Sequence, residues 1–120
     1  MNETWTKDDL EKEIERQNFV RAVEIAASLG LSTNEVRDLQ FEALWQMAAL
    51  NRNAGGTKIL AQAYGVPKQE LIKFLEDKAA RFRENGDAKV ISTHFDPATG
   101  KYFTFEGWVA FHIEKWKDNK

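Results

Sequence analysis

The sequence predicts a mainly α-helical domain with a C-terminal β-hairpin, an α+β arrangement of about five helices and one two-stranded hairpin. Three observations predict it. Apolar residues recur at helical spacing from Leu10 to Phe82. Gly30, Gly65 and Gly86 stand at the ends of those runs, where a left-handed residue closes a helix. After Gly86 the composition turns β-branched and aromatic, in residues 89–95 (KVISTHF) and 101–105 (KYFTF), around the turn sequence Asp96-Pro97-Ala98-Thr99-Gly100.

Thr6 is placed to cap a first helix, with Asp8, Asp9 and Glu11 near its positive end. Leu10 and Ile14 share one face, and Phe19, Val23, Ala26 and Ala27 carry an apolar stripe on to Gly30. Pattern alone leaves open whether this is one helix or two separated by a break at Gln17 and Asn18. Ser32 followed by Glu35 is a capping-box pair that starts a second helix, expected over residues 33–51. Val36, Leu39, Ala43, Leu44, Met47 and Leu50 make one wide apolar face, while Phe41, Trp45 and Ala48 make a second. A helix apolar on two faces is either central to a core or one side of a dimer seam.

Asn53-Ala54-Gly55-Gly56 then reads as a break. Thr57 is expected to cap a short helix over residues 58–64 that Gly65 ends. Val66-Pro67 leads into a further helix reaching about residue 85, because proline's missing N–H is not needed at a helix start. Leu71, Leu75, Ala79 and Phe82 form its inner stripe. In the hairpin, Pro97 suits a type I turn and Gly100 the left-handed position after it. Gly107 is expected to end the hairpin, and a last helix over residues 108–117 places Val109, Ile113 and Trp116 on one face. One internal echo, AASLGLSTNEVRDL (26–39) and AQAYGVPKQELIKF (61–74), reads as two similar helix–glycine–helix units rather than a repeat array, which needs about three units.

With 120 residues the chain fits one domain, divided into an N-terminal helical segment (1–30), a central part (31–106) and a C-terminal helix (107–120). The absence of cysteine excludes disulfides, thiolate catalysis and cysteine-type metal sites. No apolar run approaches a membrane span and the first fifteen residues are polar and acidic, so a cytoplasmic location is expected. The net charge of −2 hides an asymmetry: residues 1–50 hold 5 Lys/Arg against 10 Asp/Glu, and residues 51–101 hold 9 against 6. A basic middle suits an anionic partner, although solvated charges alone would give the same count.

The segment TKILAQAYGVPKQELIKFLEDK (57–78) resembles the helix-turn-helix of DNA-binding proteins. Ala61 falls where two helices cross closely, Gly65 supplies the turn, and Val66, Leu71 and Phe74 take the apolar positions holding the second helix. With the supporting helix before it and the hairpin after it, the order resembles a winged helix, the wing tip at residues 96–101. The resemblance implies a dimeric DNA-binding regulator. Its second helix would enter the major groove of double-stranded DNA through Lys68, Gln69 and Lys73, with Ile72 beside them. Lys58, Lys89 and Lys101 would lie on phosphates. Glu70, Glu76 and Asp77 on the same helix, and the acidic whole, weigh towards the second reading, a protein-interaction module. That reading uses Phe41, Trp45, Trp108 and Trp116 as an interface, with a protein partner or a second copy. His94, Asp96 and His112 are the nearest approach to a metal-ligand set, but nothing in the sequence brings them together. No metal, cofactor or catalytic residue is expected, and Gly55-Gly56-Thr57-Lys58 lacks the spacing of a phosphate loop.

Overall fold

The computed structural model of the chain describes residues 5–86 and 89–116. Six α-helices and one antiparallel hairpin stand among them, as the α+β pattern predicts. The chain divides into two compact units, Met1–Leu44 and Trp45–Lys120.

The first unit is built on α1 (Lys7–Glu15), α2 (Phe19–Ser28) and most of α3 (Thr33–Trp45). The Asp9 amide donates to Thr6 Oγ1 (3.1 Å) and the Thr6 amide donates to Asp9 Oδ2 (3.0 Å), a reciprocal cap that fixes the start of α1. The question left open at residues 17–18 resolves as a break. Gln17 takes a φ of 62°, and the Gln17 and Asn18 amides return to the Ile14 and Glu13 carbonyls (both 2.9 Å). This is the hydrogen-bond pattern of a glycine stop, made here by a glutamine at a cost of about 1 kcal/mol. Gly30, at φ 76°, ends α2 in the same way: its amide donates to Ala27 O (3.1 Å) and that of Leu31 to Ala26 O (3.2 Å). Leu10, Ala22, Ile25 and Ala26 form the core, with Trp5, Leu29, Leu31, Val36 and Leu39 packed around it. Ser32 and Glu35 make the expected capping box for α3.

The second unit begins with a π-helical segment, Gln46–Leu50, where an uninterrupted α-helix was expected to continue to residue 51. Next comes α4, Ala54–Tyr64, which starts four residues before the expected position. Asn53, not Thr57, is its cap: Asn53 Oδ1 accepts from the Gly56 amide (2.8 Å). Thr57 lies buried inside the first turns, its hydroxyl donating to Asn53 O (2.6 Å). Gly55 and Gly56 are therefore helical rather than a break. A side chain on Gly56 would place its Cβ 2.9 Å from Met47 Sδ and 2.8 Å from Asn53 Nδ2, so the glycine permits a close approach.

Gly65 ends α4 at φ 68°, with its amide on Gln62 O (3.2 Å) and the Val66 amide on Ala61 O (2.9 Å). The echo at residues 26–39 and 61–74 is thus a shared helix stop, one in each unit. Pro67 immediately precedes α5, Lys68–Glu84, which buries Leu71, Leu75 and Ala79 as the stripe predicts. It lies against α6, Phe105–Trp108, and the second π-helical segment, Val109–Ile113, while α4 lies against both π-helical segments.

The hairpin is shorter than expected. Strands β1 (His94–Asp96) and β2 (Lys101–Phe103) pair with His94 opposite Phe103, Phe95 opposite Tyr102 and Asp96 opposite Lys101. Two side chains stop the ladder. Thr104 turns β2 into α6 by accepting the Gly107 amide on its hydroxyl (3.1 Å), so Phe105 and Gly107 are helical. Arg52 occupies the carbonyls of Val90 (3.2 Å) and Ser92 (3.0 Å), ahead of β1, and of Phe103 (3.4 Å), the last residue of β2. The last helix accordingly starts at Phe105 rather than Trp108, and its helical segments end at Ile113, short of the expected end near residue 117.

Candidate interaction surface

The six side chains expected to face DNA differ in their surroundings. Lys68 Nζ donates to the carbonyls of Glu114 (3.1 Å) and Trp116 (2.8 Å) and so closes the end of the last helical segment. A lysine at a helix C-terminus complements the dipole there. Lys73 pairs with Asp77 one turn on, at 2.9 Å. Gln69, Lys89 and Lys101 are exposed and Lys58 is half-buried. The structure therefore gives two of the three groove-facing residues protein partners, and the nearby Glu70, Glu76 and Asp77 are exposed as well.

Two of the four expected interface residues are corrected. Trp45 and Trp108 are buried in the second unit. Trp45 meets Phe82 at 5.1 Å and Phe105 edge-on at 5.3 Å, and Trp108 stacks with Phe105 at 6.1 Å. They are core side chains because α6 brings Phe105 between them. Phe41 and Trp116 are half-buried, the latter with its carbonyl on Lys68.

What the second unit does present is the outer face of its hairpin. Phe95 and Tyr102 are 51% and 69% exposed, and their rings meet edge-on at 5.3 Å. Strand alternation puts His94, Asp96, Lys101 and Phe103 on the opposite face. That face is anchored. Phe103 packs on Phe111 (5.2 Å) and on His112 (6.1 Å). His112 Nε2–H donates to Asp96 Oδ2 (2.9 Å), and the Thr99 hydroxyl donates to the same oxygen (2.9 Å). The Gly100 amide closes the turn on Asp96 O (2.8 Å), with Gly100 in the left-handed position expected of it. The His112–Asp96 contact that sequence could not place is thus made, while His94 Nε2 lies 3.4 Å from Lys89 O instead of joining it.

Burial by itself raises the Asp96 carboxyl, but the hydrogen bonds from His112 and Thr99, with the His112 charge, outweigh it and hold the group below its ordinary value. A depressed folded-state value means that the carboxylate adds stability above the unfolded value and loses it as pH falls through the folded one. Asp96→Asn is therefore expected to cost about 2 kcal/mol at neutral pH. The difference from the parent should shrink as pH falls below about 4, the unfolded aspartate range. Urea unfolding of both proteins at a series of pH values checks this; a difference that stays constant down to the acid limit would contradict it.

Arg52 holds the base of the hairpin. Besides the three carbonyls above, its Nε donates to Ala49 O (3.4 Å), and its guanidinium lies 5.3 Å from the centre of the Phe105 ring. Burial lowers its pKa, and the charges of Glu106 and Asp96 act against that lowering. Its own φ is 50°, the left-handed region. Nothing in the sequence marked this residue, because three of its four carbonyl partners lie 38 to 51 positions away.

The arrangement is a braced hairpin that displays an aromatic pair. No protein family, curated protein or solved structure matches the chain in comparison. No described helix is long and apolar enough to cross a membrane.

Proposed function

We propose that the chain is a protein-interaction module without catalytic activity, and that the outer face of its hairpin is the contact surface. The observation that carries this is the exposed Phe95–Tyr102 pair on a hairpin fixed from behind by Asp96–His112, Phe103 and Arg52. Aromatic side chains are enriched at interface centres, and a rigid support lowers the entropy lost on binding. A cytoplasmic location is part of this proposal.

Duplex binding is the weaker reading, because Lys68 and Lys73 already have partners and only Lys58, Gln69, Lys89 and Lys101 remain for it. Two measurements decide between them. A photo-crosslinking residue placed at position 102 in cells is expected to give protein adducts that Phe95→Ala diminishes. Titration with mixed-sequence duplex at low and moderate salt is expected to show no salt-sensitive binding at micromolar protein. Salt-sensitive duplex binding without protein adducts would reverse the assignment.

A further inference from the structure

Asn85 is the only asparagine in the chain that a glycine follows. That pairing carries its own chemistry. The Cγ of an asparagine carboxamide can close a five-membered ring on the backbone nitrogen of the next residue. A side chain on that next residue crowds the ring, and glycine has none. Asn34 and Asn51 are followed by Glu35 and Arg52, whose side chains stand in the way. Asn18 and Asn53 are in addition held in place. Asn18 Nδ2 donates to Glu13 Oε1 (2.9 Å), and Asn53 Oδ1 accepts from the Gly56 amide (2.8 Å).

The structure leaves the Asn85–Gly86 pair open. Both residues are exposed at the C-terminal end of α5, and the Asn85 side chain makes no hydrogen bond among the described residues. A Cβ built on Gly86 meets nothing within 4 Å beyond the adjoining residues. One contact opposes the reaction: the Gly86 amide donates to Arg83 O (3.2 Å). That bond closes the helix, and helix ends open far more readily than interior turns. Each opening frees the nitrogen and lets Asn85 leave its folded ψ of 2°.

We propose that Asn85 is a site of spontaneous conversion to aspartate and isoaspartate, and that the conversion loosens the end of α5. Water is the only co-reactant. The Gly86 nitrogen gives up its proton to solvent base and bonds to Asn85 Cγ; the Cγ–Nδ2 bond breaks and ammonia leaves. Water then opens the resulting imide at either carbonyl, which restores the Gly86 N–H and frees one carboxylate. Opening at Cγ gives aspartate, and opening at the main-chain carbonyl gives isoaspartate. Both products set a negative charge at the negative end of the helix dipole, beside exposed Glu84. Isoaspartate also adds a methylene to the main chain, which carries the Gly86 N–H away from Arg83 O. Neither change reaches the buried Leu75 and Ala79, so the effect is confined to the last turns.

Ageing the full chain at neutral and at alkaline pH, followed by peptide mapping with mass spectrometry, is the test. The peptide holding position 85 is expected to gain the mass of an amide replaced by an acid and to separate into two acidic forms. The change should be faster at the higher pH, because the attacking nitrogen must lose its proton. It should outpace any change at Asn18, Asn34, Asn51 or Asn53, and Asn85→Gln, which would need a six-membered ring, should suppress it. The same chain aged in urea gives the rate without the fold. Conversion in urea with none in the folded chain overturns the proposal, because the Gly86–Arg83 bond then protects the site. Conversion no faster at Asn85 than at the other asparagines overturns it as well. Asn85→Asp tests the consequence. Protection of the amides at 83–85 against exchange is expected to fall about two- to fivefold, with that of Leu75 unchanged. Unchanged protection at 83–85, in this variant and in isolated isoaspartate material, would show that the end of α5 is not loosened.

Discussion

Phe105→Ala is expected to lower the stability of the second unit by about 4 kcal/mol, the usual cost of removing a fully buried aromatic ring. The side chain is completely buried, and Trp45, Trp108 and the Arg52 guanidinium all pack on it. The cavity would open where α6 meets the start of the unit, and the surrounding rings are too rigid to fill it. Urea unfolding followed by tryptophan fluorescence measures this directly, since Trp45, Trp108 and Trp116 belong to the second unit and only Trp5 to the first. Phe105→Leu keeps most of the apolar volume and is expected to lose about half as much. A loss below about 1 kcal/mol for the alanine variant would show that the cluster is not packed as described.

Arg52→Ala is expected to cost about 3 kcal/mol. Hydrogen bonds to a charged donor contribute about 1.5–3 kcal/mol each when partly buried, and their loss here is softened because water reaches the Ser92 carbonyl. Amide exchange in residues 89–104 should quicken well beyond exchange in α5, because the guanidinium ties the Val90, Ser92 and Phe103 carbonyls together. Arg52→Lys keeps the charge but not the planar fork, so it should recover less than half of the loss. Arg52→Gly removes the same donors but relieves the positive φ, and should be about 1 kcal/mol more stable than Arg52→Ala. Equal stabilities for the glycine and alanine variants would remove backbone strain from the account.

The parts of this fold that were legible in sequence are those determined locally. The Ser32/Glu35 box, the stops at Gly30 and Gly65 and the Leu71/Leu75/Ala79 stripe each depend on residues within one or two turns, and each is present. Misplaced elements depend on something local pattern does not carry. The stop at Gln17 uses a non-glycine residue in a glycine conformation. The start of α4 depends on Gly55 and Gly56 being tolerated in a first turn, where their flexibility matters less than the room that Gly56 leaves for Met47. The π-helical segments insert a residue into the helical period, so a stripe projected through Gln46–Leu50 or Val109–Ile113 drifts by about 100°. The hairpin lost length to Arg52, a residue 40 positions from Ser92.

The candidate surface divides in the same way. Lys68, Gln69 and Lys73 were selected as the exposed leading face of α5, but only the fold shows that Lys68 reaches the carbonyls of Glu114 and Trp116. Trp45 and Trp108 were selected for their ring size, which fits an interface and a core equally well; Phe105, counted as a strand residue, decided between them. Phe95 and Tyr102 were visible as part of a hairpin, but their standing alone on its outer face follows from the register.

The paired helix stops at Gly30 and Gly65 carry a last consequence. At neither position does a Cβ added to the glycine come within 4 Å of any atom beyond the adjoining residues. Bulk is therefore not what these sites refuse. They select for handedness: an L-residue is opposed there by its own backbone and by nothing around it, so the penalty is a property of the substituted residue alone. Asparagine, which adopts this conformation most readily among side-chain-bearing residues, is the natural replacement at both. The same two stops thus have room for a side chain to begin, provided that the residue carrying it accepts a left-handed backbone.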